Sequence, residues 1–384
     1  MKILFTSFPG LGFFLPIVPF VWAARAAGHE VLVVTTGPAV DASGRAGLPT
    51  VEASPDVDIM GKLLKGGSSV KGIRDPFSSE NMQSVASMMA QVSKHTADRT
   101  VEVTRSWKPD VIVQTPFDVA GSLAASLLSI PTVIHGFGIL SAGKMSNMTD
   151  LIYEELRPVC ERYGVTGERL RPNAIIDTCP PSMRELDRPS AWFVRYVPYN
   201  GGGALPEWLL EPKARPRICV TLGTVLPHTA GVSGISGVIE AVRNLDAEVV
   251  LALGETDPSV LGALPPNVRT TGWIPLSALV PTCSAIVHHG GAGTTMNAVV
   301  AGVPQLVFPH MADQHINAAA VEKRGIGLTY LPEETDVETL QWSLFKLLDD
   351  PSFTQAAQEV KGENEKQIPP AELIPRLAEL AVRA

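Results

Sequence analysis

The chain has 384 residues, of which 45% are hydrophobic and 18% are charged, and its formal net charge is −8. This composition excludes a disordered, collagen-like or low-complexity protein, and the acidic balance argues against a nucleic-acid-binding surface. At about 150 residues per domain, the length suggests about two domains that need no disulfide or metal to hold their cores.

The first elements predict a βαβ unit. Lys2–Thr6 is an apolar, strand-like run, residues 15–27 have a helical pattern, and Glu30–Thr35 is a second strand. Prolines and glycines interrupt this region too often for the apolar core of a signal peptide. A βαβ unit implies parallel strands in a doubly wound sheet.

The rest of the chain repeats this alternation. The later strand-like runs are nearly continuously apolar, as in strands that are buried on both faces. The predicted strands are Val111–Gln114, Thr132–His135, Arg217–Thr221, Glu248–Ala252, Ala285–His288 and 305–308, and the predicted helices are 236–244, 294–301 and Gln314–Arg324. Because no stretch reaches about 20 unbroken apolar residues, we expect no membrane span.

Residues 198–215 are rich in proline and glycine and predict a linker. We therefore expect an α/β protein with an amino-terminal domain over 1–197 and a carboxy-terminal domain over 216–384. The last helix is free to pack back on the first domain. A ligand is expected in a cleft that the carboxyl ends of both sheets face.

The four cysteines are spaced too widely and irregularly for a zinc site or a redox pair. They are Cys160, Cys179, Cys219 and Cys283. We expect four reduced thiols in a cytoplasmic protein.

The segment 288–297, HHGGAGTTMN, predicts a phosphate site. It follows a strand and opens a helix, whose free amides and dipole bind anions, and His289 and Thr294 add hydrogen-bonding side chains. Glycines allow close backbone approach, and no P-loop lysine follows. The glycines are Gly290, Gly291 and Gly293. A second phosphate-facing element is expected at Gly223 and Thr224, also at a strand end.

Simpler explanations remain open for parts of this segment. Thr294 and Asn297 have the spacing of a helix-capping box. Adjacent residues of an extended chain point to opposite faces, so one of His288 and His289 is expected to be a packed structural residue.

Four motifs together carry a family resemblance. They are TGWIP at 271–275, HHGGAGTT at 288–295, AGVPQ at 301–305 and PHMADQHIN at 309–317. In this order and spacing they resemble the donor-binding signature of family 1 glycosyltransferases of the GT-B fold. The bacterial branch that transfers deoxysugars from TDP-sugars to antibiotics is the most similar. The resemblance covers nearly the whole chain and implies two Rossmann-like domains facing across a cleft.

The resemblance also implies roles for individual residues. The residue matching Trp273 stacks on the pyrimidine, and those matching His289 and Thr294 hold the diphosphate. Those matching Asp313 and Gln314 bind the sugar hydroxyls. Core packing remains an alternative for Trp273, and a plain helix N-cap remains one for Asp313.

Two departures from the family pattern concern the nucleotide. UDP-sugar users of the family often have Gln where Leu276 stands and Glu where Asn297 stands, and those residues bind ribose hydroxyls. Leucine accepts no hydrogen bond and asparagine is shorter and uncharged, so we expect TDP to be preferred over UDP.

The family's catalytic base is a histidine in the first loop, but Phe13 occupies that position here. The position of its aspartate partner falls near Thr115. His135, at a strand end, and Asp118 are therefore the candidate bases. A third explanation is an acceptor whose nucleophile is already acidic or strong, such as a phenol, a hydroxylamine or an electron-rich aromatic carbon.

Apolar side chains in the first half predict an acceptor site. They are Phe13, Phe14, Met60, Met82 and Met88. Flexible thioethers suit an adaptable pocket, although methionines also fill gaps in cores. A large hydrophobic natural product of polyketide, macrolide or enediyne type fits such a site.

The function implied is an inverting, metal-independent glycosyltransferase that uses the nucleotide sugar as a substrate and needs no cofactor. Asp56 and Asp58 resemble a metal-binding DxD pair but lie away from the donor motifs, so we interpret them as a solvated loop. A nucleotide-sugar epimerase and a catalytically weak partner protein remain alternatives. An NAD-dependent oxidoreductase is disfavoured because Leu15 replaces the third glycine of its fingerprint. No nucleic-acid partner is expected, and a homodimer is left open.

Overall fold

The computed structural model describes residues 1–66, 75–140, 142–165, 170–184, 191–221, 233–254, 256–332 and 335–383. Gly223 and Thr224 lie outside these ranges. The strands are β1 Lys2–Thr6, β2 Glu30–Thr35, β3 Thr50–Glu52, β4 Val111–Gln114, β5 Thr132–His135, β6 Ala174–Asp177, β7 Ala191–Phe193, β8 Arg217–Thr221, β9 Glu248–Ala252, β10 Val268–Thr271, β11 Ala285–His288, β12 Gln305–Val307 and β13 Gly327–Thr329.

The helices alternate with these strands as the sequence predicts for an α/β protein. They are α1 Leu11–Phe14, α2 Val18–Ala26, α3 Pro38–Arg45, α4 Ile59–Gly66, α5 Met82–Trp107, α6 Val119–Leu128, α7 Ala142–Arg162, α8 Ser233–Val242, α9 Leu276–Leu279, α10 Ala292–Ala301, α11 Gln314–Arg324, α12 Val337–Asp349, α13 Pro351–Lys366 and α14 Pro370–Arg383.

The chain divides into two compact units, each built on its own sheet. The first unit comprises 1–179, 184–199 and 366–384, and the second comprises 180–183 and 200–365. The chain passes from the first unit to the second between Tyr199 and Asn200, inside the region predicted as a linker. The carboxy-terminal helix α14 belongs to the first unit, where it packs against α2.

Both sheets are parallel and doubly wound, which confirms the predicted fold class. The first has the order β3-β2-β1-β4-β5-β6-β7, and the second has the order β10-β9-β8-β11-β12-β13. In each sheet, therefore, the chain reverses its direction of winding beside the first strand of the unit. Loops at the carboxyl ends of strands diverge at such a switch point and leave room for a ligand.

The predicted first helix is interrupted. Within the predicted range 15–27, a 3-10 turn over Leu15–Ile17 is followed by α2, and the short helix α1 precedes both. Pro16 and Pro19 explain this break, because proline has no amide hydrogen for the helical ladder.

Each unit has a separate apolar core. In the first, side chains from β1, β2, β4 and β5 pack under α2 and α14. In the second, side chains from β8, β9 and β11 pack under α8 and α12. Within the described residues no helix is long and apolar enough to cross a membrane.

Candidate functional site

In the second unit, the segment predicted to bind phosphate lies at the switch point. It joins β11 to α10, and β11 pairs with β8 in the middle of the sheet. The segment that follows β8 lies outside the described residues, so the predicted contribution of Gly223 and Thr224 remains a prediction.

Gly290 forms the turn between β11 and α10. Its φ of +87° lies in the left-handed region that favours glycine. A Cβ atom here would lie 3.0 Å from the Gln314 carbonyl oxygen and 3.0 Å from Val307 Cγ1. Only glycine therefore fits this turn without displacing β12 and the start of α11.

His288 is the packed member of the histidine pair. Its Nδ1 accepts the Gly290 amide at 2.9 Å, and its Nε2 lies 2.9 Å from Gln305 Oε1 on β12. Burial lowers the pKa of His288 to about 4, against a smaller opposite effect of the Gln305 bond. The ring is therefore neutral at pH 7 and supports the turn from inside.

Asn317 holds the other side of the same turn. Its Nδ2 donates to the Gly290 carbonyl oxygen at 2.8 Å and to Asp313 Oδ2 at 3.0 Å. Asp313 is the N-cap residue of α11, but its side chain makes no capping hydrogen bond. Burial raises the pKa of Asp313 to about 6, while Asn317 and the first amide of α10, at Ala292, oppose that rise.

The start of α10 differs from the capping-box alternative, which is wrong. The N-cap residue is Gly291, and Thr294 is already in the first turn. Asn297 instead donates its Nδ2 to the Gly293 carbonyl oxygen at 2.7 Å. Apart from its chain neighbours and the backbone of its own helix, no atom of the described residues lies within 4 Å of a Cβ built on Gly293, so this glycine faces open space.

His289 is buried at the entrance of α10, with its ring against Gly291. Burial lowers the pKa of His289 to about 3, helped by the neighbouring His288 and His310, so its imidazole is neutral. Three buried polar atoms around the turn have no hydrogen-bond partner among the described residues. They are His289 Nδ1, Asn297 Oδ1 and Asn317 Oδ1.

Gln314 and Trp273 complete the predicted set in this unit. Gln314 is buried, and its Oε1 accepts the amides of His310 and Met311 at 2.8 and 3.1 Å. Trp273 follows β10 and is 47% exposed, so core packing does not explain it. Its ring lies beside Gly201 and Gly254, which leaves an indole face available for stacking.

The matching edge of the first unit is aromatic. The Phe13 ring lies 4.9 Å from that of Phe8, 5.9 Å from that of Phe117 and 4.7 Å from that of Phe137, centroid to centroid. These residues follow β1, β4 and β5, so the cluster gathers at the switch point of this sheet. Phe14, predicted to contact the acceptor, is fully buried in the core, and this prediction is wrong because the α1 turn directs its ring inward.

Asp118 lies at the same edge, between β4 and α6. It is buried at the N-cap position of α6. Burial raises the pKa of Asp118 to about 6, and the Thr6 hydroxyl and the Ala120 amide oppose that rise. A carboxyl group with a pKa near neutrality is suited to exchange a proton at pH 7.

His135 is less suited to that task. Its ring packs against Phe20 at 5.4 Å, and its Nδ1 lies 2.7 Å from the Gly136 carbonyl oxygen. Burial lowers the pKa of His135 to about 4, which makes it a weak base. The Thr115 hydroxyl accepts the Phe8 amide at 2.9 Å, so this position supports the first loop.

The predicted methionines have mixed surroundings. Met60 lies beside a Cβ built on Gly37, at the end of β2 and close to the first loop. Met82 and Met88 are half-buried on α5, and their contact with an acceptor remains a prediction.

Asp58 accepts the Gly61 amide at 2.7 Å, in the first turn of α4. The described residues contain no cluster of three or more His, Cys, Asp or Glu side chains able to hold a metal.

Several site residues were absent from the sequence-based prediction. Gln305 and Asn317 lie inside the motifs that carry the resemblance, and their polar side chains in apolar surroundings were the available signal. Phe117, which follows β4, had no such signal because its role depends on the tertiary structure.

Comparisons with known proteins agree over nearly the whole chain. The model of the Erythromycin biosynthesis protein CIII-like N-terminal domain matches residues 22–223, and that of the corresponding C-terminal domain matches residues 236–380. The elloramycin glycosyltransferase ElmGT of Streptomyces olivaceus is 38% identical over 98% of this chain and 97% of its own length.

Two solved structures are also similar. The glycosyltransferase SnogD of Streptomyces nogalater has 38% identity and a TM-score of 0.85, with 99% of each chain covered. The glycosyltransferase SsfS6 of Streptomyces sp. SF2575, solved with thymidine diphosphate, has 29% identity and a TM-score of 0.83, again with 99% of each chain covered.

Proposed function

The chain belongs to the EryCIII-like family of bacterial natural-product glycosyltransferases, and we propose that it transfers a deoxysugar from a thymidine diphosphate sugar to a hydrophobic natural product. The unpartnered buried polar atoms around the Gly290 turn carry this proposal. Buried polar groups in native proteins are nearly always satisfied, so these atoms point to a ligand with several hydrogen-bonding groups.

The second unit binds the nucleotide sugar in this proposal. Trp273 stacks on the base, and the diphosphate lies at the first turn of α10, close to Gly293 and Thr294. His289 donates one hydrogen bond from its neutral ring. Asp313 and Gln314 bind the sugar hydroxyls, and thymidine diphosphate in the similar SsfS6 structure supports the class of nucleotide.

The preference for a deoxyribose nucleotide rests on Asn297 and Leu276. The amide nitrogen of Asn297 already donates to the Gly293 carbonyl oxygen. Leu276, the first residue of α9, has no polar group to offer. Neither side chain supplies a carboxylate for the 2′-hydroxyl that UDP has and TDP lacks, so TDP is expected to bind at least as tightly as UDP.

The first unit binds the acceptor, and the aromatic cluster around Phe13 supplies an apolar surface for it. Asp118 is the base that takes the proton from the acceptor nucleophile. The acceptor attacks the anomeric carbon, the bond to the diphosphate oxygen breaks, and the configuration is inverted. Negative charge develops on the departing diphosphate, where the α10 amides and His289 stabilise it.

A thermal-unfolding panel with TDP, UDP, GDP and NAD tests the nucleotide part of the proposal. TDP at about 100 times its dissociation constant is expected to stabilise the fold by about 2.7 kcal/mol. A larger effect of NAD than of TDP would contradict the proposal, and a clear preference for UDP would contradict the role given to Asn297 and Leu276.

Incubation of a TDP-deoxysugar with and without a panel of polyketide aglycones tests the reaction. The glycosyltransferase releases TDP and forms a glycoside only when an acceptor is present. An altered sugar formed without any acceptor would instead identify an epimerase. The configuration at the anomeric carbon of the product, measured by NMR, tests inversion.

A further inference from the structure

A continuous chain of buried hydrogen bonds crosses the Gly290 turn. It runs from Gln305 on β12 through His288 to the Gly290 amide, and from the Gly290 carbonyl oxygen through Asn317 to Asp313. Gln305 is 0% exposed and His288 is 2% exposed. Both polar groups of the glycine that turns towards α10 are thus held by side chains.

The direction of these bonds fixes the tautomer of His288. A backbone amide can only donate, so His288 Nδ1 must accept and has no proton. The proton of the neutral ring is therefore on Nε2, and its partner must be an acceptor. This requirement orients the Gln305 amide with Oε1 towards the ring.

Gln305 accepts the ring proton with Oε1, and this orientation leaves its own buried Nε2 without an acceptor among the described residues. A glutamate would have no such unsatisfied donor, but its carboxylate would favour the imidazolium form of His288. Both nitrogens of an imidazolium are donors, so the Gly290 amide would lose its acceptor.

We propose that Gln305 and His288 are positioning residues for nucleotide-sugar binding, and that Gln305, as an uncharged acceptor for the Nε2 proton, fixes the His288 tautomer whose Nδ1 holds the Gly290 amide. This inference rests on the proposed function, because it takes the Gly290 turn as the diphosphate site. Neither side chain needs to touch the ligand. Gln305 and His288 influence the ligand through the backbone that leads into α10 and through Asn317, which orients Asp313.

The surroundings of the ring are compatible with this role. The ring centroid of the titratable neighbour His289 lies 6.4 Å from that of His288. His310 faces His289, and Asp313 lies beyond Asn317. Burial and the Gln305 bond account for the pKa of His288, and no charged side chain contributes to it.

The decisive experiment compares the wild-type chain with Gln305→Glu in calorimetric titrations with TDP at several pH values. The affinity of the variant, divided by that of the wild type at the same pH, is expected to fall by about tenfold between pH of about 9 and pH of about 6. The ratio removes the titration of TDP itself. A ratio that does not change with pH overturns the proposal.

Gln305→Met is the matched variant without a charge. It removes the acceptor for Nε2, so its TDP affinity is expected to fall by the same factor at every pH. Loss of TDP binding by the wild type would overturn the proposed function. Wild-type binding with a pH-independent Gln305→Glu variant would overturn only the role of Gln305 and His288.

A measurement on the unmodified protein keeps the test valid if a variant fails to fold. Nitrogen NMR of histidine-labelled protein reports which ring nitrogen carries the proton. The His288 signal is expected to be that of the Nε2–H tautomer throughout the pH range in which the protein is folded and the His288 ring is neutral. A signal of the Nδ1–H tautomer, or of an imidazolium near pH 7, overturns the proposal.

Discussion

The two units have the same sheet order around their switch points but different chemistry there. At the edge of the second unit, backbone amides, glycines and buried polar side chains surround the Gly290 turn. At the edge of the first unit, aromatic rings surround Phe13. The fold therefore supplies the position of a site, and the side chains decide whether it suits a diphosphate or an apolar acceptor.

One local arrangement occurs at both edges. Asp118 follows Phe117, whose φ is +71°, and Asp313 follows Ala312, whose φ is +56°. The other two non-glycine residues with positive φ among the described residues, Lys108 and Ser129, are ordinary C-caps of helices.

A left-handed conformation costs a non-glycine residue about 1 kcal/mol. In both units this strain directly precedes an aspartate at a helix N-cap. In each case the strained residue is followed by a carboxyl group whose pKa burial raises to about 6.

Asp118→Asn gives the largest expected effect, because it removes the proposed base and keeps the shape of the side chain. Turnover is expected to fall by about 10²–10⁴-fold, while TDP affinity is unchanged. Steady-state kinetics and TDP titration measure the two quantities. His135→Asn, which keeps a donor for the Gly136 carbonyl oxygen, is the competing variant. A large loss with His135→Asn and none with Asp118→Asn would reverse the assignment.

Trp273→Ala tests the second unit, where binding of the base should depend on one exposed ring. Stacking on an aromatic side chain contributes about 1–3 kcal/mol per base, so TDP affinity should fall by about 10–100-fold. Trp342→Ala on α12 is the matched control, because Trp342 is 53% exposed and lies outside the site. Equal effects of the two substitutions would show that Trp273 has no specific role.

Gly293→Ala separates the needs of the fold from those of the ligand. Alanine is favoured over glycine in a helix, so the free protein should gain about 0.5–1 kcal/mol of stability. The new methyl group faces the space assigned to the diphosphate, and TDP should bind about tenfold more weakly. Gly362→Ala on α13 is the matched control, because Gly362 is another helical glycine whose built Cβ meets no neighbouring element within 4 Å. It should give the same gain in stability without any loss of TDP affinity.

Much of the fold followed from local patterns. The strand runs Lys2–Thr6, Val111–Gln114 and Ala285–His288 are apolar on both faces, and each is present with the predicted bounds. Short or partly exposed strands such as β3 and β13 were not predicted, because their patterns are too brief to differ from those of loops.

The site was predictable where function depends on a contiguous motif. The glycine turn and the exposed Trp273 lie in motifs with fixed spacing. The inward position of Phe14 was not predictable from the sequence, because it depends on packing in the core with residues of β1. The αL residues before Asp118 and Asp313 were not predicted either, because phenylalanine and alanine have no preference for that conformation.

The smallest expected effect is on the pH dependence of folding stability, where Asp118 and Asp313 are compared directly. Burial raises the pKa of both carboxyl groups to about 6 from an ordinary value of 3.8. The folded protein therefore keeps protons that the unfolded chain has already released. The folded state is favoured most below pH of about 4 and loses stability as the pH rises towards about 6.

Asp118→Asn and Asp313→Asn should each reduce this loss and raise the free energy of unfolding at neutral pH by about 1 kcal/mol. The gain in unfolding free energy should be smaller for Asp313→Asn, because Asp313 is less buried than Asp118. The substitution also replaces a charged acceptor of the Asn317 hydrogen bond by a neutral one. Denaturant unfolding at several pH values measures both. If neither variant changes the slope with pH, the two carboxylates are better solvated than their burial implies. The chemical likeness of the two edges would then be limited to their backbone.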